Sequence, residues 1–404
     1  MPNDAHPRAM PAPRAAAAIS ATDAPPIPAA RAWAARYGGQ AGPAIDLTQA
    51  VPGYPPHPEL LARLGEAASG LAAAGYGPIM GDDALREALA ADIAATYRGD
   101  VGAADVAITA GCNLAFAMTM ATVAGPGDAV MLPAPWYFNH RMALSMQGIA
   151  AVPLPCRAEH GFVPDPAEAA ALLDPRVRAI VLVTPNNPTG AVYPPAVIAR
   201  FAELARERGL WLIIDETYRD FLPDAGTPPH EVFADAVWRE NIVHLYSFSK
   251  AYCVPGHRVG AIAAGPAFLG QLAKAIDTLQ ICAPRAPQVA LAWAIDGLRA
   301  WRAGNRVEMQ RRATVFRTAL APLAAWRIDA LGGYFAYLRL PEQAGGMPDA
   351  VAMAEHLAAE RGLLVLPGPF FGPGQERYLR LAFANAADDA IASVPQRLAG
   401  EAER

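Results

Sequence analysis

Two serine hydroxyls, a lysine and an arginine share one short stretch, Ser247-Phe248-Ser249-Lys250-Ala251-Tyr252-Cys253-Val254-Pro255-Gly256-His257-Arg258. The preceding run Ile242-Val243-His244-Leu245-Tyr246 is apolar and rich in β-formers, so it reads as a buried strand with Lys250 at its end. An amine in that position loses solvation and part of its proton affinity, which makes it a nucleophile toward a carbonyl. Arg258 and the Ser247 hydroxyl add a fixed cation and a donor of the kind a phosphate prefers. The set suits a lysine imine with a phosphorylated aldehyde, the chemistry of pyridoxal 5'-phosphate (PLP). For Ser-x-Ser-Lys alone, a solvated surface lysine is the ordinary alternative.

Other stretches carry chemistry of a compatible kind. Val106–Thr109 reads as a strand broken by Ala110-Gly111-Cys112-Asn113, with a helix following. A glycine turn feeding a helix start offers open amides and a positive dipole end, a seat for phosphate as well as a plain strand–helix turn. Asp215 ends the apolar run Leu210–Ile214, where open α/β sheets bind ligands. Asp-Glu at a strand end also suits a metal or a cap, but no second carboxylate or histidine cluster supports a metal. Arg380 interrupts the alternating strand Tyr378–Ala384; a buried arginine requires an anion, either an internal Asp or Glu or a ligand. Aromatic Trp136, Tyr137 and Phe138 follow a buried strand at 129–132, and Asn187 opens an Asn-Pro-Thr-Gly turn.

Ser-x-Ser-Lys followed by Pro-Gly-x-Arg-x-Gly resembles the PLP-dependent aminotransferases of fold type I, class I/II. Tyr76, Gly111, Trp136, Asn187, Asp215, Tyr218, Lys250, Arg258 and Arg380 stand in the order that family requires. The resemblance implies that Lys250 carries the cofactor and shuttles the Cα proton. It implies that Asp215 keeps the pyridine nitrogen protonated, while Asn187 and Tyr218 bond the ring oxygen. Trp136 would stack on the ring, and Gly111, Cys112, Ser247 and Arg258 would hold the phosphate. Arg380 would grip the substrate α-carboxylate, with Asn187 and Trp136 beside it. Tyr76 would reach the phosphate of a neighbouring subunit in a homodimer with shared sites. The segment Leu47-Thr48-Gln49-Ala50-Val51-Pro52-Gly53 would cross the cavity mouth. The implied reaction moves an amino group from an L-amino acid to a 2-oxo acid by a ping-pong route. The same residues would also serve a C–S or cyclising lyase or an amino-acid oxidase; a non-enzymatic PLP-sensing domain belongs to another class. Arg285 is a candidate contact to a dicarboxylate side chain.

These residues need a scaffold to bring them together. Strands and helices alternate from 105 to 264, which predicts an α/β fold with a doubly wound, mostly parallel sheet. A smaller α+β domain follows. The expected division is a large domain at 58–295 and a small domain made of 29–57 plus 296–404. Pro287–Ala321 reads as one long helical stretch, and Gly332–Leu338 as a strand. Residues 1–28, rich in Ala and Pro, read as a disordered tail without chemistry. The chain has 404 residues, 53% of them hydrophobic, enough for a large core. Its net charge of -5 provides no basic field for nucleic acid. No run of about 18 apolar residues suggests a membrane span. The four cysteines show no paired spacing, and a cytoplasmic location is the expectation.

Overall fold

The computed structural model describes residues 13–223, 226–342 and 349–399. Its centre is built from the continuous apolar runs, which form a seven-stranded sheet. In chain order the strands are β1 (Val106–Thr109), β2 (Ala129–Ala134), β3 (Ala150–Pro155), β4 (Val177–Val183), β5 (Trp211–Asp215), β6 (Ile242–Ser247) and β7 (Gly260–Ala264). The spatial order is β1-β7-β6-β5-β4-β2-β3. β2 to β6 pair in parallel, and β7 runs antiparallel between β1 and β6. Helices cover both faces, which is why these strands carry apolar side chains at successive positions. Along β4 and β5, Ile180, Leu182, Leu212 and Ile214 join one core, while Val181, Val183 and Ile213 join the core on the opposite face. The doubly wound, mostly parallel sheet is thus as expected.

A second sheet holds β8 (Arg327–Gly332), β9 (Phe335–Arg339), β10 (Leu366–Pro367) and β11 (Tyr378–Leu381), all antiparallel, in the order β10-β11-β9-β8. It has its own core, in which Ile45 and Leu47 join residues from Phe316 to Leu398. Ile45–Asp46 pairs in parallel with Leu363–Leu364, tying an early segment of the chain to a late one.

Three expectations are corrected. The strand expected across Gly332–Leu338 holds from Phe335 onward, but Gly333 and Tyr334 form the turn before it, because Gly333 adopts φ +50, a conformation that reverses the chain. The helical stretch after Pro287 is two helices, Arg285–Gly297 and Arg299–Leu320, divided at Leu298 just after a glycine. The tail expected over 1–28 is ordered where it is described: Ala17–Ser20 is a helical turn, and Pro26–Ala34 is a helix with proline at its first turn, where no amide is needed. Ala30 of that helix is fully buried. Residues 1–12 of the expected tail lie outside the described residues. Among the described residues, no helix is long and apolar enough to cross a membrane.

Candidate active site

The carboxyl ends of β4, β5 and β6, the start of the Cys112–Val123 helix, the early segment around Thr48 and the late one around Arg380 enclose a cavity of about 500 Å³. That size suits a cofactor-scale ligand. Lys250, Asp215, Arg258 and Arg380 all line it, although they lie far apart in the chain.

Lys250 stands in a single helical turn, Phe248–Ala251, that continues directly from β6. Ser247 caps this turn, its hydroxyl accepting from the Ser249 amide at 3.3 Å. The Lys250 amine donates to the Ala50 carbonyl and has no carboxylate beside it among the described residues. Burial, then the charges of Arg380 and Arg258, push its pKa down to about 8. About a tenth of the amine is then unprotonated at pH 7, far more than for an ordinary lysine, and that is the state a nucleophile or base requires.

Arg258 takes a left-handed backbone, φ 53, and its Nη1 donates to the Pro255 carbonyl at 2.9 Å. Its guanidinium lies over Gly111, the residue preceding the Cys112–Val123 helix. A Cβ at 111 would overlap Arg258 Nη2, and φ +94 there also favours glycine. The result is an anion seat: a guanidinium above the first amides of a helix. Cys112 is buried beneath it, and burial first, then Asp215, raises its thiol pKa well above the ordinary range. Its amide serves the seat, while the protonated thiol is held by Thr217 Oγ1 at 3.6 Å.

Asp215 is buried and accepts from the Thr217 amide at 3.0 Å, from Thr217 Oγ1 at 2.7 Å and from His140 Nε2 at 3.2 Å. Burial pushes its carboxyl up, but the bonds from His140 and Thr217 outweigh that and hold it below the usual carboxylate range. His140 is itself fixed by stacking on Phe116, ring centroids 3.8 Å apart. A permanently ionised carboxylate in a poorly solvated cavity favours a cation opposite it.

Arg380 is 2% exposed on β11. Its Nη1 donates to Asn187 Oδ1 at 3.2 Å and its Nη2 to the Thr48 carbonyl, while Nε has no partner. Phe335 and Phe371 lie 5.1 Å and 5.3 Å from the guanidinium. The alternative of an internal Asp or Glu partner is not what the fold provides: no ion pair joins Arg380 to a carboxylate among the described residues. Burial accordingly pulls its pKa down to about 10. A buried guanidinium held by neutral acceptors is suited to receive an anion from the cavity. Asn187 reaches Arg380 because Asn186 locks the turn, its Oδ1 accepting from Thr189 N at 3.2 Å and Oγ1 at 2.8 Å. Tyr218 lines the same wall, buried, with its ring 5.2 Å from that of Tyr334 and 6.0 Å from the Lys250 amine.

Trp136 is the residue the structure moves. Its amide donates to Phe371 O at 2.8 Å, and its ring packs on Gly372 in a neighbouring pocket outside this cavity. Tyr137, one position on, lines the cavity instead, its hydroxyl held by Asn139 Nδ2 at 2.8 Å. Sequence reasoning could not tell which of two adjacent aromatics a sharp turn aims inward. It also missed His140 and Thr217, whose signal was spacing alone: Thr217 two residues after Asp215, His140 within a turn of Tyr137. Pro25, Pro26 and Ile27, expected to belong to a tail without chemistry, line the cavity mouth with Thr48, Gln49 and Ala50. Tyr76 lies outside the cavity, 80% exposed. Arg285 packs against Gly77, the next residue, and pairs with Asp82 at 3.3 Å.

The family described as aminotransferase class I and II matches residues 43–398. The chain is 30% identical over 319 residues to the arginine–pyruvate transaminase AruH of Pseudomonas aeruginosa, covering 78% of this chain and 79% of that one. It is 30% identical to the aspartate/prephenate aminotransferase of Thermus thermophilus, with coverage of 78% and 80%. It is also 28% identical to the aromatic aminotransferase ISS1 of Arabidopsis thaliana, covering 88% of both chains. The fold superposes on aspartate aminotransferase from Thermus thermophilus with maleate at a TM-score of 0.86, with 24% identity and coverage of 96% and 99%.

Proposed function

The chain belongs to the class I and II aminotransferases and is an aminotransferase; from that premise we propose that the cavity around Lys250 moves an amino group from an L-amino acid to a 2-oxo acid in two half-reactions. The observation that carries this reading is the convergence on one cavity of a buried amine, an ionised aspartate and a buried arginine without an acidic partner.

The family uses PLP, and the residues present fit that group. Arg258 and the amides after Gly111 form a seat for its phosphate, kept clear by the missing side chain at 111. Asp215, oriented by His140 and Thr217, would face its ring nitrogen, and Tyr137 rather than Trp136 would cover its ring. Lys250 would hold it covalently. When bound, the group supplies an electron sink that makes a substrate's Cα–H acidic.

The chain's own residues do the rest. Arg380 pairs with the substrate carboxylate and thereby sets which bond at Cα faces Lys250. Lys250 takes the Cα proton and returns it, as base and then as acid. Asp215 stays ionised throughout and compensates positive charge opposite it. Pro25, Pro26, Thr48 and Ala50 at the mouth restrict water. The two-core arrangement supports a division into a large domain at 58–295 and a small domain of 29–57 plus 296–404, with the cavity between them. The relatives' names span aromatic, arginine and aspartate or prephenate substrates, so they support a reaction type rather than one amino donor.

Borohydride should fix the cofactor to the peptide containing Lys250, and amino donors offered with pyruvate or 2-oxoglutarate should be consumed without ammonia release. Label on Lys274 instead, or stoichiometric ammonia, would reject the reading. For assembly, exposed Tyr76 is the residue that would reach the phosphate seat of a second copy. Mixed dimers of Lys250→Ala and Tyr76→Ala chains should then regain activity at one site; verified mixed dimers that stay inactive would reject sharing.

A further inference from the structure

A second cavity, of about 400 Å³, lies between the Asp83–Tyr97 helix, the Arg299–Leu320 helix and the turn Arg219–Phe221. Arg98, Arg219, Arg299, Arg302 and Arg306 line it against two aspartates, Asp92 and Asp220; Arg299 also pairs with Asp296 at 3.3 Å, which leaves an excess of two positive charges among the described residues. Both acids are already engaged. Asp92 accepts from Arg219, and from Arg302 at 3.2 Å; Asp220 accepts from Arg302 at 2.7 Å and from the Tyr246 hydroxyl at 2.8 Å. Donors remain over. Among the described residues, Arg219, its side chain 3% exposed, has no hydrogen-bond partner for Nη1, and Arg302, at 9%, has none for Nε. At the rim, Arg98 donates to the Gly226 carbonyl at 3.3 Å. The cluster is thus under-compensated, and an oxyanion in the cavity would meet the guanidinium groups that line it, those of Arg98 and Arg306 at the rim included.

We propose that this cavity binds a small phosphate-bearing anion, a site separate from the one around Lys250 and independent of the reading given for it. Phosphoryl oxygens match guanidinium forks arrayed around one space, and the charge excess calls for more than a single carboxylate. The volume exceeds that of one phosphate, so a diphosphate or a phosphorylated metabolite fits better than orthophosphate. The site also lies behind the Lys250 turn. Arg219 follows Tyr218 directly and its guanidinium sits 4.1 Å over the ring of Tyr246, the residue before Ser247. Arg302 lies 5.3 Å from the ring of Tyr252, two residues past Lys250. An occupant therefore bears on side chains that hold that turn in place.

The test is calorimetric titration of the holoenzyme with pyrophosphate at constant ionic strength, with orthophosphate and malonate as separate arms. Pyrophosphate should bind once per chain and orthophosphate more weakly. Arg98→Asn (which tolerates the left-handed φ of 52 there) combined with Arg306→Gln should weaken pyrophosphate at least about tenfold, with the cofactor spectrum unchanged. Arg380→Ala should leave pyrophosphate binding intact. Absence of saturable binding, insensitivity to the double variant, or loss in Arg380→Ala overturns the proposal. Malonate binding as tightly as pyrophosphate in the Arg380→Ala background overturns the phosphate assignment.

Discussion

Asp215 and Glu216 are neighbours at the end of β5, both buried, both bonded to histidine and both held below the ordinary carboxylate range. They face opposite sides of the sheet. Asp215 meets His140 and Thr217 and opens on the cavity. Glu216 meets His230 at 3.2 Å, His244 at 3.0 Å and the Tyr97 hydroxyl, and does not line the cavity that Asp215 opens on. Burial pushes the Glu216 carboxyl up, and the charge and hydrogen bonds of His230, with those of His244, more than reverse that. The Tyr97 ring stacks on His230 at 4.5 Å and closes the network. A shifted carboxylate paired with histidine is therefore no mark of a site by itself. What separates the two is that Glu216 is surrounded by fixed partners from a helix, a strand and a loop, whereas Asp215 presents one side to a space a ligand can enter. The first arrangement suits stability and the second suits the chemistry proposed for the cavity.

The sharpest way to break this contrast is at the open side. Lys250→Ala should lower turnover by about 10²–10⁴-fold from loss of the base alone, and further from loss of the covalent link. Its thermal midpoint in the cofactor-free state should not fall, because a buried amine without an anionic partner is removed. A substantial loss of stability with turnover retained would place Lys250 in the structural class with Glu216.

Arg380→Ala should cost about 2–5 kcal/mol in kcat/KM for α-amino acids and leave cofactor absorbance unchanged. Amines that lack a carboxylate should be affected little. Equal losses for both substrate kinds would make Arg380 a packing residue.

The neighbours themselves can be set against each other. Asp215→Asn should lower kcat by about 10²-fold and cost less stability than the same change at Glu216, since the new amide borders the cavity and can be solvated there. Glu216→Gln should do the reverse, losing about 1–3 kcal/mol of stability while the folded enzyme keeps its kcat. If both substitutions reduce kcat alike, access to the cavity is not what distinguishes the two acids.

The smallest effect is in acid. Glu216 is depressed in the folded state, so its contribution is present above the unfolded value near 4.5 and is lost as pH falls toward the folded value. His244 is also lowered, chiefly by burial, and adds a loss as pH falls below its ordinary 6.5. Denaturant titrations from pH 7 to pH 3 should show a steep decline for the parent and a shallower one for Glu216→Gln. Parallel declines would remove Glu216 from the acid response.

Much of this protein is determined locally. A run such as Ile180–Val183 can only be a strand buried on both faces, and Gly111 before a helix can only be a turn, so the doubly wound sheet and the anion seat were legible from residue types and spacing. Lys250 and Arg258 were legible for the same reason, being eight residues apart on one turn. What lies across the fold was not. That Arg380 would meet Asn187 and the Thr48 carbonyl, with no acid, depends on three segments meeting in space. That Tyr137 and not Trp136 enters the cavity depends on the rotation of a single turn against Phe371 and Gly372. Pro25 and Pro26, polar neither in side chain nor in periodicity, became cavity wall only because Ala30 of their helix is buried against the later part of the chain. Periodicity reports which face of an element is buried; which element covers it is settled by packing, and the site was assembled by that second choice.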